Sequence, residues 1–185
     1  MRVVIADDSP LLLEGIASFV RGEGIEVVAE ASSPDELLAA VDEHEPDVAI
    51  VDIRMPPTQT DEGIQAAHEI RRRHPDMGVV LLSHHVEVGV ATQLLAEAPQ
   101  RLGYLLKDRV TDPADFAGSL RRVAGGGTAL DPQVVSGLLT DPGADGPLRS
   151  LSPREREVLE FVVEGARTRR SASASPSRTA PCRNT

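Results

Sequence analysis

Three kinds of side chain in this sequence could take part in one reaction: carboxylates that close apolar runs, a hydroxyl in the same position, and a single ammonium. Residues 46–57 read Pro-Asp-Val-Ala-Ile-Val-Asp-Ile-Arg-Met-Pro-Pro. Val48 to Val51 is a mostly β-branched run, the pattern of a strand buried on both faces of a parallel sheet. Asp52 ends the run, and Pro56 and Pro57 stop its regular continuation. A carboxylate is thereby delivered to the carboxyl end of a buried strand, the edge where open α/β sheets bind ligands. Asp7 and Asp8 close the apolar run Val3 to Ala6 in the same way, and Ser83 closes Met77 to Ser83. Lys107 follows Leu102 to Leu106 and is the one lysine among 19 basic residues. A compact ammonium reaches a phosphate as a point charge, which a planar guanidinium does not. An Asp after a strand taken alone is more often a turn or helix cap than a nucleophile. The joint pattern carries the functional reading.

The elements that must bring these residues together alternate along the chain. After the first strand, Ser9-Pro10 opens a helix with Ser9 as N-cap, and Leu11, Ile16, Phe19 and Val20 form its inner stripe. Ile25 to Ala31 is a second strand, and Ser33-Pro34-Asp35-Glu36 caps a second helix running to about His44. A third helix spans Asp61 to His74, with Ile64, Ala67 and Ile70 inward. A fourth strand, Met77 to Ser83, and a fourth helix, Val86 to Ala98, follow. The fifth strand is Leu102 to Leu106, and the fifth helix, Asp112 to Ala124, stops at Gly125-Gly126-Gly127. Five strands alternating with five helices in about 125 residues predict an α/β fold, a doubly wound, five-stranded parallel sheet. One sequence does not reveal the strand order. The flavodoxin-like order 2-1-3-4-5 would bring Asp7 and Asp8 beside Asp52, with Lys107 arriving from strand five.

Composition narrows the function further. The net charge is −10, yet residues 166–185 carry five Arg and no acid, so residues 1–165 carry −15. An acidic body argues against nonspecific nucleic-acid binding by that part. Cys182, the one cysteine, has no internal disulfide partner. The apolar run at Met1 to Ala6 is too short for a signal peptide, and no segment approaches membrane-spanning length. A cytoplasmic chain with no membrane partner is expected.

The pair Asp7-Asp8, Asp52 followed by Ile-Arg-Met-Pro-Pro, Ser83, and Gly103-Tyr104-Leu105-Leu106-Lys107 resemble a response-regulator receiver domain, over residues 1–125. Clustered carboxylates repel unless a cation compensates, and a hard, oxygen-seeking, hydrated ion fits, which points to Mg²⁺. The resemblance implies that Asp8, Asp52 and the backbone carbonyl of Arg54 bind it directly, with Asp7 acting through a water. It implies that Asp52 is the phosphoacceptor, taking a phosphoryl group from a cognate sensor histidine kinase, with Ser83 and Lys107 binding the phosphoryl oxygens. Ser83 and Tyr104 would form the switch, the aromatic swinging inward when Ser83 moves toward the phosphate, and homodimerisation would follow. Two positions depart from the family pattern. Asp108 stands where many receivers have proline, and a trans Lys107–Asp108 bond is expected. His84-His85 stands where many have a small residue.

Residues 126–150 read as a linker, with a short helix after Asp131-Pro132 and a flexible joint from Thr140 to Leu148. At Leu151, Ser152-Pro153 with Glu155 forms a capping box, and Val158, Leu159, Val162 and Val163 make an apolar stripe. Residues 151–165 resemble the opening helix of a LuxR/NarL-type helix-turn-helix domain. Residues 166–185 contain no Leu, Ile, Val, Met or aromatic residue, so they build no amphipathic helix and read as a disordered tail. The helix-turn-helix domain therefore looks truncated or frameshifted. The family role is phosphorylation-controlled transcription through DNA binding, with DNA recognition by this chain in question. Two alternatives remain: a receiver-only module acting through protein–protein contacts, and a phosphoesterase, for which no substrate pocket is legible. No turnover enzyme on external substrates is expected.

Overall fold

The computed structural model describes residues 1–140. The expectations for the helix-turn-helix start, the tail and most of the joint after Thr140 lie outside the described residues. The strands are β1 (Arg2–Ala6), β2 (Glu26–Ala31), β3 (Val48–Asp52), β4 (Gly78–Ser83), β5 (Leu102–Leu106) and β6 (Thr128–Leu130). Between them run α1 (Pro10–Gly22), α2 (Pro34–His44), α3 (Glu62–Arg73), α4 (Val88–Glu97) and α5 (Pro113–Ala124), and α6 (Pro132–Thr140) follows β6. A short 3-10 turn, Lys107–Thr111, links β5 to α5.

The sheet order is β2-β1-β3-β4-β5-β6, with every neighbouring pair parallel. β3 is central, and all five of its residues are buried. Alternate strand residues feed two cores. Val4, Ala49, Val51, Val79, Leu81 and Tyr104 pack with α2, α3, α4 and α6, while Val3, Ile5, Ile50, Val80 and Leu105 pack with α1 and α5. Burying each such Val, Ile or Leu side chain contributes about 1.5–3 kcal/mol. Helices on both faces explain why the strands read as continuous apolar runs.

Register aligns the strand ends. Ala6 pairs with Val51, Asp52 with Leu82, and Ser83 with Leu106. The polar residues that close these runs therefore emerge side by side along one edge.

Three expectations change. The sheet has a sixth strand beyond the five expected: Gly126, at φ 94°, turns the chain so that Thr128 and Leu130 pair with Leu102 and Tyr104. Three residues are too few to show a period in the sequence. The residues that follow, within the stretch read as a linker, form α6, which buries Val134 and Leu138 beside α4. In α1 the inner stripe is Leu13, Ile16, Ala17 and Val20, leaving Leu11 80% exposed and Phe19 39% exposed. The helix starts at Pro10, which sets its phase so that Leu11 projects from the first turn into solvent. Ser9 stands at the N-cap without a side-chain cap bond; its backbone N–H donates instead to Asp7 Oδ1 at 2.9 Å. Ser33 does cap α2, accepting from Glu36 N at 3.3 Å.

Candidate functional site

Asp7, Asp8, Asp52 and Lys107 meet where the ends of β1, β3 and β5 converge. Lys107 Nζ lies 2.7 Å from Asp7 Oδ2 and 2.8 Å from Asp52 Oδ2. All three side chains are nearly fully buried, with 6% of Lys107 and 1% of Asp7 exposed. An ammonium shared by two buried carboxylates is held by charge-assisted hydrogen bonds, the strong kind.

The electrostatics follow from burial. Desolvation pushes the Asp52 carboxyl above the ordinary carboxylate range, and the negative charge of Asp7 adds to this; hydrogen bonding and attraction to Lys107 oppose it without cancelling it. For Lys107, burial is the largest single influence and favours the neutral amine. The hydrogen bonds and charges of Asp52 and Asp7 outweigh it together and hold the ammonium above its usual value. The lysine is charged at neutral pH.

Asp8 is the exposed member of the cluster. Asp7, Asp8 and Asp52 each offer a carboxylate oxygen, and these oxygens lie within 4.8 Å of one another. Three carboxylates and one ammonium leave two negative charges, which one divalent cation would neutralise. The donors are all oxygens, the set that suits a hard ion. The acidic pocket is compatible with a divalent metal.

The other expected site residues sit close by but are bonded elsewhere. Ser83 Oγ donates to the carbonyl of His85 at 2.7 Å and accepts from His85 N at 3.2 Å, so the hydroxyl is engaged by its own loop. Tyr104 is buried, not poised outside, and its hydroxyl donates to the same His85 carbonyl at 3.5 Å. Burial raises its phenol above the ordinary value. The Arg54 guanidinium reaches Glu87, just before α4, at 3.1 Å. Among the described residues the cis peptide bond is Pro56–Pro57, and Lys107–Asp108 is not cis.

Two features of the β3–α3 loop escaped the sequence reading. Gly63, in the first turn of α3, lies so close to β3 that a Cβ there would fall 1.8 Å from the Asp52 carbonyl oxygen. Its own N–H donates to the Ile53 carbonyl at 3.0 Å. The isolated glycine inside a helical pattern was the available signal. The second is Gln59, whose Nε2 donates to Asp8 Oδ2 at 2.6 Å across 51 positions of sequence. No pattern marks a loop glutamine in advance.

Residues 3–112 match the response regulator receiver domain family. The chain belongs to this family. It is 31% identical over 176 residues to the transcriptional activator protein ExaE of Pseudomonas putida, covering 91% of this chain and 78% of that one. It is 33% identical over 168 residues to the probable transcriptional regulatory protein NarL of Mycobacterium tuberculosis, covering 89% and 74%. Among solved structures, the RcsB response regulator of Salmonella typhimurium, described by its conformational dynamism for DNA interaction, superposes with TM-score 0.66. That match is 26% identical and covers 95% of this chain and 85% of that one. The receiver is that of a two-component response regulator of the LuxR/NarL type, a class of transcription regulators. Among the described residues no helix is long and apolar enough to cross a membrane.

Proposed function

We propose that Asp52 is the phosphoacceptor of this receiver, taking a phosphoryl group from a cognate sensor histidine kinase with Mg²⁺ bound at the acidic pocket. The observation that carries the reading is the Lys107 ammonium held between Asp7 and Asp52 at 2.7 and 2.8 Å. In this reading an Asp52 carboxylate oxygen attacks phosphorus in line. The bond from phosphorus to the kinase imidazole breaks as the oxygen–phosphorus bond forms, and the imidazole keeps the electron pair. Asp8, Asp52 and the backbone carbonyl of Arg54 would hold the Mg²⁺, with Asp7 reaching it through water. When bound, the ion offsets the charge of carboxylate and phosphoryl oxygens. Lys107 stays with the cluster as the charge passes from Asp52 to the phosphoryl group, and pairs with a phosphoryl oxygen.

Ser83 would then leave the His85 carbonyl and donate to the phosphoryl group. Because Tyr104 donates to that same carbonyl, the hydroxyl and the phenol are coupled through one acceptor, which supports Ser83 and Tyr104 as the switch. The output is homodimerisation and control of transcription in the cytoplasm. The domain reading is a receiver over 1–125, against which β6 and α6 of the stretch 126–150 read as a linker are packed, then a helix-turn-helix start over 151–165 and a tail over 166–185.

The test is intact mass after reaction with acetyl phosphate and Mg²⁺. The wild-type chain gains one phosphoryl group, and Asp52→Asn gains none. A phosphoryl adduct on Asp52→Asn would remove Asp52 from its role.

A further inference from the structure

Two of the three pocket carboxylates are fixed by buried partners. Asp7 receives Lys107 Nζ and the Ser9 N–H, while Asp52 receives Lys107 Nζ. Asp8 has no such support from the sheet. It is exposed, and among the described residues its carboxylate takes one hydrogen bond, from Gln59. Asp8 cannot donate, so the nitrogen end of the Gln59 amide must face it.

Gln59 is itself held in place by the loop. Its φ is 60°, left-handed territory that side-chain-bearing residues seldom adopt, and its N–H donates to the Met55 carbonyl at 3.0 Å. Glu62 ties down the residues on both sides. One carboxylate oxygen accepts from the backbone N–H of Thr58 at 2.8 Å and from the Thr58 hydroxyl, and the other accepts from the N–H of Thr60 at 2.9 Å. These bonds, the Thr58 hydroxyl first, hold the Glu62 carboxyl down to about 2. The clamp is therefore charged throughout the neutral range.

We infer that Gln59 is a positioning residue for the divalent cation: it aims the Asp8 carboxylate into the pocket, and the Glu62 clamp aims Gln59. This rests on the metal reading above. Freed of Gln59, Asp8 would spread over its solvent rotamers, and that freedom would have to be given up again on binding. An outer-shell partner of a metal ligand typically accounts for tenfold or more in affinity.

The experiment is calorimetric titration of the full chain with MgCl₂ at constant ionic strength, without phosphodonor, beside urea unfolding in EDTA. Gln59→Leu keeps the side chain's bulk and removes the donor. It is expected to weaken Mg²⁺ binding by roughly tenfold, with the metal-free urea midpoint unchanged. Glu62→Gln is expected to shift affinity in the same direction, and the double variant to bind no more weakly than Gln59→Leu, because the clamp acts through Gln59. Affinity of Gln59→Leu within twofold of wild type, or tighter than wild type, would overturn the inference while leaving the metal reading intact. Additive losses in the double variant would overturn the role of the clamp. A wild-type chain that takes up no Mg²⁺ would overturn both readings at once.

Discussion

Replacing Lys107 by Met isolates the charge balance on which the pocket depends. Met approximates the length of the side chain and removes the ammonium, leaving Asp7 and Asp52 buried and facing each other. At 2.7 and 2.8 Å each ion pair has a gross attraction of about 6 kcal/mol for an effective dielectric constant of about 20. Most of that is offset by the desolvation of the lysine, which the variant no longer suffers. The net loss for removing one partner of a buried pair is about 3–5 kcal/mol. For a chain of this size each kcal/mol moves the midpoint by roughly 2–4 °C, so circular dichroism in EDTA at pH 7.5 should show Tm lower by about 6–20 °C.

The pH dependence has a definite sign. In the wild-type chain burial raises the Asp52 carboxyl, so its charged form opposes folding above its folded pKa and has no effect once protonated in both states. Lys107 is raised as well, so its stabilisation is present at neutral pH and is lost only as pH climbs through its folded value. Without the lysine the Asp52 carboxyl rises further. The stability difference between variant and wild type should therefore shrink as pH falls from 7.5 toward 5, and added Mg²⁺ should restore part of it at pH 7.5. A loss below about 1 kcal/mol, the range of an exposed pair, would refute the reasoning. So would a loss that is equal at both pH values.

Two further outcomes follow from packing. Gly63→Ala puts a Cβ against the Asp52 carbonyl, so α3 must retreat, at a cost of about 3 kcal/mol by overpacking; urea unfolding reads the stability, and acetyl phosphate labelling of Asp52 should slow as its strand end shifts. Val134→Ala removes two methyl groups from a fully buried position between α6 and the core. If α6 is part of the folded receiver, the urea midpoint should fall by about 1–3 kcal/mol in stability, whereas a helix that merely extends from the domain would leave it unchanged.

The residues themselves determined most of the sheet and the edge where the chemistry gathers. Val48 to Val51 could be read as a buried strand because helices cover both faces, which forces every residue to be apolar. Asp7, Asp52, Ser83 and Lys107 stood out because each breaks such a run at its carboxyl end. The order of strands, and hence the meeting of Asp7 with Asp52, belongs to the tertiary structure, because parallel strands pair across helices that leave no local trace of which neighbour is chosen. The same holds for α1, where the helix phase, and not hydrophobicity, put Leu11 in solvent and Leu13 in the core. β6 was too short to carry a period, and its place beside β5 depends on the turn at Gly126. Gln59 and Glu62 were invisible for a related reason. One is a polar loop residue and the other the first residue of α3, and their meaning lies in hydrogen bonds across space, one of them to a carboxylate 51 positions away. Periodicity reports which residues leave water; only the closed fold decides which of the remaining polar groups face one another.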